Sequence, residues 1–363
     1  MEKKDLKLIA FNLPQFHVIP ENNKWWGDGF TEWVNVKKSI PQYKNHNQPR
    51  VPLNENYYNL NNVDTLMWQM DLAKKYGLYG FAYYHYWFDG KLLLEKPVEK
   101  LLEFEKPIKF CLCWANEPWT KAWDGGEKEI IMPQRYGGKE DWKKHFQYLL
   151  PFFKDSQYIL VDNKPVFIIY RLNNIEQKDE MIHYWDQLCI DEGFNGIYVI
   201  EENNSFQDKK ASVYSQATLD FEPMNTVTFH RSFFNKVRNR IYKIFFNKKH
   251  NCNLNILNYN YVWKLILKKN IKVPYKNYLG GFVDWDNSPR RGKDAKIFVN
   301  SSPTAFKKYF NKLVSKCVKN DSDFLFLNAW NEWAEGAYLE PDEKNKYGYL
   351  EAIQDVMNGC KTK

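Results

Sequence analysis

The chain of 363 residues has few cysteines and no long uncharged apolar segment. Its six cysteines form neither a CxxC pair nor a zinc-like spacing, so nothing indicates a disulfide framework or a structural metal. The first residues, Met-Glu-Lys-Lys-Asp-Leu, lack the apolar core of a signal peptide, and no later segment offers the roughly 18 apolar residues that span a bilayer. We therefore expect a reduced, cytoplasmic protein.

Glycine-rich phosphate loops are also missing from the sequence. No GxGxxG or GxxxxGK[ST] pattern follows an apolar run, which removes the main argument for a nucleotide-binding, doubly wound sheet. The histidines have no neighbouring acids at the spacing of a metal site. We expect neither a cofactor nor a metal.

Acidic residues are absent between Met224 and Val283, where twelve Lys or Arg residues occur. This charge exceeds the +8 of the whole chain, so the remainder is net acidic. We place a basic insertion at residues 224–277. Its interleaved aromatic and aliphatic residues suggest an amphipathic element that lies on an anionic membrane or holds a lipid-diphosphate carrier, with a solvated insertion as the alternative. No recognition motif accompanies the charge, so nucleic acid is not expected as a partner.

Short apolar runs alternate with segments of helical periodicity along the whole chain. The predicted strands are Leu6–Leu13, Tyr79–Trp87, Lys109–Trp114, Pro165–Arg171, Gly196–Glu201, Ala211–Gln216, Leu279–Trp285 and Asp323–Ala329. The predicted helices include Val63–Tyr76, Asp141–Phe153, Asp179–Asp191 and Thr304–Lys319. Eight such units favour an α/β fold that closes as a (β/α)8 TIM barrel, in a single catalytic domain over residues 1–363. Residues 18–62 would form a long first loop.

Polar and aromatic residues follow nearly every predicted strand, at the end where barrels of this type carry their chemistry. Trp and Tyr faces stack on sugar rings, while carboxylates, amides and imidazoles hydrogen-bond to sugar hydroxyls. The pattern therefore predicts a carbohydrate site. The candidate substrate-binding residues are His17, Trp26, Tyr84, His85, Trp87, Trp114, Asn116, Glu117, Tyr170, Arg171, Glu201, Asp284, Trp285, Asp286, Asn331, Trp333 and Tyr338.

The segment after the last predicted strand holds two carboxylates three residues apart, Glu332 and Glu335, among Trp330, Trp333 and Tyr338. Aromatic walls around paired acids push carboxyl pKa values apart, which suits glycosidic chemistry. We therefore propose both glutamates as catalytic residues. The alternative is that they charge the first turn of a helix.

Other candidates also have structural alternatives. Glu117 could pair with Arg171 and brace the rim instead of binding sugar. His17 and His85 could be hydrogen-bonded packing groups. Asp284 and Asp286 alternate along the chain, so both would point to one side, and they would bind hydroxyls if that side is the barrel mouth.

Four motifs resemble a known family: IAFNLPQFH at 9–17, WWGDGFTEW at 25–33, CLCWANE at 111–117 and WNEWAEG at 330–336. They look like the WbsX-type proteins of bacterial surface-polysaccharide loci, which are often labelled glycosyltransferases. That group is in turn similar to the family 99 glycoside hydrolases, which are endo-α-mannosidases and endo-α-mannanases with a (β/α)8 barrel. The first resemblance runs over almost the whole chain, whereas the second depends on the barrel rhythm and the Asn-Glu-Trp-x-Glu-Gly match.

The resemblance implies a retaining, 2-hydroxyl-assisted cleavage. Glu332 would act as the base that helps the sugar's own 2-hydroxyl attack the anomeric carbon, and Glu335 as the acid and then the base. The pKa of Glu335 should then be raised. The implied substrate is an oligosaccharide or polysaccharide of O-antigen, lipopolysaccharide or capsule metabolism, and the outcome is hydrolysis or transfer.

Two other functions remain open. A nucleotide-sugar or lipid-linked-sugar glycosyltransferase would use Asp284-Trp285-Asp286 as a DxD motif, or the basic insertion, to hold a diphosphate. A non-catalytic oligosaccharide-binding protein would keep the sugar-binding residues without turnover.

Overall fold

Eight parallel strands close into a barrel in this computed structural model, which describes residues 5–121, 129–206, 212–269 and 275–361. The strands are β1 (Lys7–Asn12), β2 (Gly80–Phe88), β3 (Lys109–Trp114), β4 (Lys164–Ile169), β5 (Tyr198–Asn203), β6 (Ala217–Asp220), β7 (Lys276–Phe282) and β8 (Phe324–Asn328). Each strand pairs with its neighbours in chain order, and β1 pairs with both β2 and β8, which closes the ring. The predicted (β/α)8 fold is confirmed.

Helices connect the strands and cover the outside of the barrel. They are α1 (Pro20–Trp26), α2 (Glu32–Lys38), α3 (Val63–Lys75), α4 (Lys96–Glu99), α5 (Lys139–Phe153), α6 (Lys178–Asp191), α7 (Met224–Phe229), α8 (Phe233–His250), α9 (Tyr259–Lys268), α10 (Ser288–Arg291), α11 (Pro303–Lys319) and α12 (Gly348–Lys361). Short strands lie in the loops at Lys91–Leu93, Trp119–Thr120, Ile130–Met132, Leu160–Val161, Asn255–Asn258, Lys296–Val299, Asn331–Glu332 and Ala337–Tyr338. Single 3₁₀ turns occupy Leu53–Glu55, Lys100–Glu103, Leu172–Asn174, Gly292–Asp294 and Trp333–Glu335.

The helices follow the sequence signals that predict them. The side chain of Asn62 caps α3 by accepting a hydrogen bond from the Asp64 N–H at 2.9 Å. Leu66, Met70 and Ala73, which recur at helical spacing, are all buried against the barrel. The other predicted helices begin one or two residues before the predicted position, at α5, α6 and α11.

The prediction for the sixth strand is wrong. Within the described part of Ala211–Gln216, the chain forms a tethered loop, and Ala211 itself lies outside the described residues. The carboxylate of Glu201 accepts hydrogen bonds from the Ser212 N–H at 3.0 Å and the Ser215 hydroxyl at 2.6 Å. These hydrogen bonds keep the loop from pairing with the neighbouring barrel strands, and the strand forms instead at Ala217–Asp220.

The basic region contains regular structure. It begins with α7, continues through α8 and a short strand at Asn255–Asn258, and includes α9, which packs on the barrel. Its predicted end at residue 277 overlaps β7, which begins three residues before the predicted Leu279. The first loop carries α1 and α2 between β1 and α3.

Two apolar cores support this arrangement. The main core fills the barrel and the layer between strands and helices. A small second core consists of Leu254, Ile256, Ala295, Ile297 and Val299, beneath α8. In the part of the chain that the structure describes, no helix is long and apolar enough to cross a membrane.

Gly280 lies where two barrel strands come closest together. A Cβ at this position would stand 1.8 Å from the carbonyl oxygen of Asp220 on β6, a backbone atom that cannot turn aside. We therefore expect Gly280→Ala to lower the free energy of unfolding by about 3 kcal/mol, measured by urea denaturation. Gly359→Ala is the matched control, since a Cβ there meets nothing within 4 Å. Equal stability of the two variants would contradict this packing.

Candidate active site

A cavity of about 510 Å³ opens at the carboxyl ends of the barrel strands. Its walls come from the loops after most of the strands, the arrangement expected of a barrel enzyme. The lining residues are Leu13, Trp26, Tyr84, Tyr86, Ala115, Glu117, Pro118, Trp119, Thr120, Tyr170, Arg171, Asn204, Ser205, Phe206, Phe221, Met224, Trp285, Arg290, Arg291, Glu332 and Glu335.

Both glutamates of the WNEWAEG motif reach this cavity. The chain leaves β8 and forms a two-residue hairpin pairing, in which Glu332 lies opposite Ala337. A 3₁₀ turn then brings Glu335 to the same wall. Gly336 ends that turn with a φ of +65°, a backbone conformation that favours glycine.

A buried arginine, Arg290 of α10, contacts both glutamates. Its guanidinium donates to Glu335 Oε1 at 2.8 Å and to Glu332 Oε2 at 3.4 Å. Two further bonds, at 3.1 and 3.0 Å, go to the carboxylate of Glu32 on α2. One cation thus serves three carboxylates, two of which line the cavity.

The pKa values of the two glutamates reflect this crowding. Burial raises the pKa of both carboxyls, and the negative charge of Glu335 raises the pKa of Glu332 further. The positive charge of Arg290 opposes both shifts but does not cancel them. Because two acids so close together cannot easily ionise at once, the pair retains a proton above the pH at which a free glutamate loses it. The raised pKa predicted for Glu335 is confirmed.

A second group of ionic contacts, around Arg50, holds the turn that carries Glu332 and Glu335. Arg50 donates to the Gly336 carbonyl at 3.2 Å and to Asp284 at 2.9 Å. The Asp286 N–H donates to the carbonyl of Glu335 at 2.7 Å. These contacts join the first, seventh and eighth loops around the turn that carries the glutamates.

Asp284 and Asp286 are buried and do not line the cavity. Burial raises the pKa of Asp284, and the charge of Arg50 only partly offsets it. For Asp286, hydrogen bonds from His46 at 2.8 Å and Gln48 at 2.7 Å outweigh burial, so its pKa lies below the usual range. Both carboxylates are hydrogen-bonded inside the protein, and neither reaches the cavity.

Aromatic rings form much of the cavity wall. Trp119 packs edge-on to Tyr86 at 5.3 Å between ring centroids and lies 6.3 Å from Trp26. The other aromatic lining residues are Tyr84, Tyr170, Phe206, Phe221 and Trp285. Flat faces beside ionisable groups suit a ligand that has apolar ring faces and polar edges.

Glu117 and Arg171 form an ion pair at 3.1 Å on the cavity rim. The Arg171 guanidinium also stacks on Phe206 at 3.9 Å. The Asn116 side chain holds this corner by accepting from the Arg171 N–H at 2.8 Å and donating to its carbonyl at 3.0 Å. The predicted pairing of Glu117 with Arg171 is therefore confirmed, and both residues line the cavity.

The structure brings eight of the predicted residues to the cavity. They are Trp26, Tyr84, Glu117, Tyr170, Arg171, Trp285, Glu332 and Glu335. The other predicted residues lie behind the walls and do not line the cavity: His17, His85, Trp87, Trp114, Asn116, Glu201, Asp284, Asp286, Asn331, Trp333 and Tyr338.

Strand geometry explains several of these positions. Side chains alternate across a strand, so Tyr84 and Tyr86 of β2 face the cavity while His85 and Trp87 face the helices. His85 lies 2.8 Å from His145 of α5, and burial lowers the pKa of His85 to about 3. The indole N–H of Trp87 donates to Asp141 at 3.1 Å.

The remaining residues fix the loops from within. The Asn331 amide bonds to the backbone N–H and carbonyl of Leu13, at 2.7 and 3.0 Å, and so joins β8 to β1. Trp333 stacks on Tyr338 at 3.8 Å and donates its indole N–H to Glu340.

His17 and Trp114 are also internal. The His17 ring lies 2.8 Å from the Pro14 carbonyl, and burial lowers the pKa of His17 to about 4. Trp114 packs against His145 and Trp185, on the helix side of β3.

Sequence reasoning missed several lining residues. Tyr86 could have been found by applying the two-residue alternation of β2. Arg290 and Arg291 lie in the loop after β7. Residues in such loops are candidates for the active site in any barrel of this type. Glu32 belongs to the WWGDGFTEW motif, but its contact with Arg290 spans 258 positions and no local signal reveals it.

The chain is similar to known proteins over nearly its whole length. A family model described as "Glycosyltransferase WbsX" matches residues 8–353. The chain belongs to the WbsX family. Two curated relatives, both called "Uncharacterized protein WxcX" and from two strains of Xanthomonas campestris pv. campestris, are 32% identical over 358 residues. These matches cover 96% of this chain but 49% of each relative, so the chain spans about half the length of the curated relatives it matches.

Solved structures support the fold of this WbsX family member. A GH99 endo-alpha-mannosidase from Bacteroides thetaiotaomicron superposes with a TM-score of 0.56 at 12% identity, over 98% of this chain and 97% of that one. A "Glycoside hydrolase-like protein" gives the same TM-score at 13% identity, over 98% and 95%. At such low identity the likeness concerns the barrel alone.

Loss of Arg290 should destabilise this WbsX family member in a pH-dependent way. In Arg290→Gln, three carboxylates lose their shared cation, so the pKa values of Glu332 and Glu335 rise further and the native state binds extra protons. Stability is then retained below about pH 4.5 and lost as the pH rises through the new pKa values. We expect a loss of about 3 kcal/mol at pH 8 and a much smaller loss at pH 5, measured by urea denaturation.

Arg291→Gln is the matched control, since its side chain is exposed beside Arg290. That variant should unfold like the wild type at both pH values. A loss in Arg290→Gln that is equal at pH 5 and pH 8 would show that the arginine acts through packing and not through charge.

Proposed function

We propose that this protein is an enzyme that acts on a glycosidic bond of a bacterial surface polysaccharide, with retention of configuration, in cytoplasmic O-antigen or capsule metabolism. The observation that carries the proposal is the pair Glu332 and Glu335 on one cavity wall, held by one guanidinium and faced by aromatic rings. Paired acids with raised pKa values beside stacking surfaces are what retaining glycoside cleavage requires.

The resemblance of the Asn-Glu-Trp-x-Glu-Gly motif to the family 99 glycoside hydrolases supplies the roles in the first step. Glu332 takes the proton of the substrate's own 2-hydroxyl as that oxygen bonds to the anomeric carbon. The glycosidic oxygen departs from the same carbon and receives a proton from Glu335. Glu332 is 7% exposed and Glu335 is more open, so the acid faces the side from which an acceptor can enter.

The second step reverses the proton transfers. Glu335, now ionised, takes a proton from the incoming water or sugar hydroxyl as that oxygen bonds to the anomeric carbon. The bond from the anomeric carbon to the 2-oxygen breaks, and the 2-oxygen recovers its proton from Glu332. Water gives hydrolysis and a sugar hydroxyl gives transfer, so one pair of glutamates serves either outcome. The family description as a glycosyltransferase fits the transfer outcome.

Arg290 imposes a condition on this mechanism. It lies closer to Glu335 than to Glu332, at 2.8 against 3.4 Å, and so favours a charged Glu335 with the shared proton on Glu332. The proposed roles need the opposite distribution when the bond breaks. We infer that the substrate draws Arg290 away from Glu335 and lets the proton move there.

A phosphate-bearing donor is the second candidate substrate. Arg171, Arg290 and Arg291 all line the cavity, and within the described residues the Arg291 side chain makes no hydrogen bond. A guanidinium left open in a cavity suits a phosphate or carboxylate group. A nucleotide-sugar or lipid-linked donor would place its phosphate there, in place of the predicted Asp284 and Asp286.

The first test is mass spectrometry of surface-polysaccharide oligosaccharides from the source cell, incubated with the protein with and without sugar nucleotides. Chains that shorten or exchange ends without a nucleotide, and remain intact with Glu335→Gln, are the expected result. Glu105→Gln, an exposed glutamate, is the matched control. Chains that lengthen only with a sugar nucleotide would replace the glycosidase mechanism with nucleotide-dependent transfer, and unchanged chains would favour a binding protein.

The roles of the two glutamates can be separated by the leaving group. A product fragment is remade with a fluoride or dinitrophenyl group, which departs without a proton. We expect Glu335→Gln to lose about a thousandfold in kcat/KM on the natural chain and less than about tenfold on the activated one. Glu332→Gln should lose activity on both. The reverse pattern would assign the acid to Glu332, where the free site favours the proton.

A further inference from the structure

Helix α8 has its apolar side chains on the side that faces away from the protein. Six of them are exposed, by 42–83% of their surface: Phe233, Phe234, Val237, Ile241, Ile244 and Phe245. No residue of this 18-residue helix is buried. Surface helices of globular proteins normally direct their apolar stripe inward.

The inner side of α8 is fixed by specific contacts. The side-chain amides of Asn239 and Asn247 donate to the carbonyls of Ile256 and Leu254, at 3.4 and 3.1 Å. On the same side, Tyr242 and Phe246 cover the small second core. Rotating the apolar stripe inward would break these contacts, so its exposure follows from how the helix is attached.

Basic residues flank the exposed stripe. Residues of an α-helix advance by about 100° around the axis, which puts the six apolar side chains within an arc of about 120°. Lys236, Arg240 and Lys243 border this arc on one side, and Arg238 and Lys249 on the other. Since the sequence has no acid from Met224 to Val283, nothing in this segment neutralises them.

We propose that α8 lies in the headgroup layer of an anionic phospholipid membrane, with its aromatic and aliphatic stripe inserted and its lysines and arginines on the lipid phosphates. An apolar stripe between two basic borders is what interfacial helices use. A second copy of the chain would bring like charges together, so we favour the lipid surface.

Contacts connect α8 to the candidate active site. Phe246 packs against Tyr43 of the first loop at 5.1 Å, and Tyr43 stacks on His46 at 4.5 Å. His46 bonds to Asp286, whose N–H donates to the carbonyl of Glu335. Between β6 and α8, α7 contributes Met224 to the cavity wall. If the proposed function holds, the geometry points to a saccharide carried on a membrane lipid as substrate.

The membrane proposal is tested by sedimentation with vesicles of phosphatidylcholine alone and with added phosphatidylglycerol. We expect recovery only with the anionic vesicles. Phe234→Ser with Phe245→Ser should lower the partition coefficient at least about tenfold, since two exposed aromatic anchors are lost. Replacing the border residues Lys236, Arg240, Lys243 and Lys249 by Gln should do the same.

The matched charge control replaces four exposed lysines elsewhere, Lys74, Lys139, Lys143 and Lys312, by Gln. This variant should bind like the wild type. Equal recovery on neutral and anionic vesicles, or an equal loss in the control, would overturn the proposal.

Hydrogen exchange gives a local measurement of the same contact. Amides at 233–250 should gain protection on anionic vesicles. A concentration-dependent dimer that the Phe variant abolishes, without vesicle binding, would instead assign the stripe to a second copy. None of these measurements requires turnover, so their failure is separate from failure of the proposed enzyme activity.

Discussion

The candidate site depends on the hydrogen bonds and charge attraction between the buried guanidinium of Arg290 and three carboxylates. Three carboxylates from two distant parts of the chain, Glu32 and the neighbours Glu332 and Glu335, meet around the guanidinium, and the last two face the cavity. Without a cation, three buried acids would have to take up protons or move apart, at a cost that burial makes large. With this cation, the acids stay close together and still hold a proton above the pH at which a free glutamate loses it. General acid–base chemistry needs a group of this kind.

Much of the fold could be predicted from the sequence because a closed barrel repeats one local pattern eight times. Buried parallel strands appear in the sequence as apolar runs. For α3, the capping residue marks where the helix begins, and the spacing of its apolar residues shows which face is buried. The sixth strand could not be located in this way. Its four residues end in Asp220, and the run that suggested a strand contains the two serines that bond to Glu201 in a loop.

The site was predictable where a motif places chemistry directly after a strand, as with Glu332 and Glu335. It was less predictable where the outcome depends on which way a side chain points. Trp87 and Tyr86 are neighbours and equally aromatic, yet only Tyr86 meets the cavity, since strand alternation separates them. The pairing of Glu32 with Arg290 was out of reach because a contact that spans 258 positions leaves no local pattern.

The contact between Glu32 and Arg290 has a consequence for how the protein is made. Glu32 leaves the ribosome about 260 residues before Arg290, and Glu332 and Glu335 follow later still. During that interval Glu32 lacks the guanidinium of Arg290, so this contact cannot yet hold the first loop in place. The cluster around Arg290 is thus completed only when residues 290–335 have been synthesised.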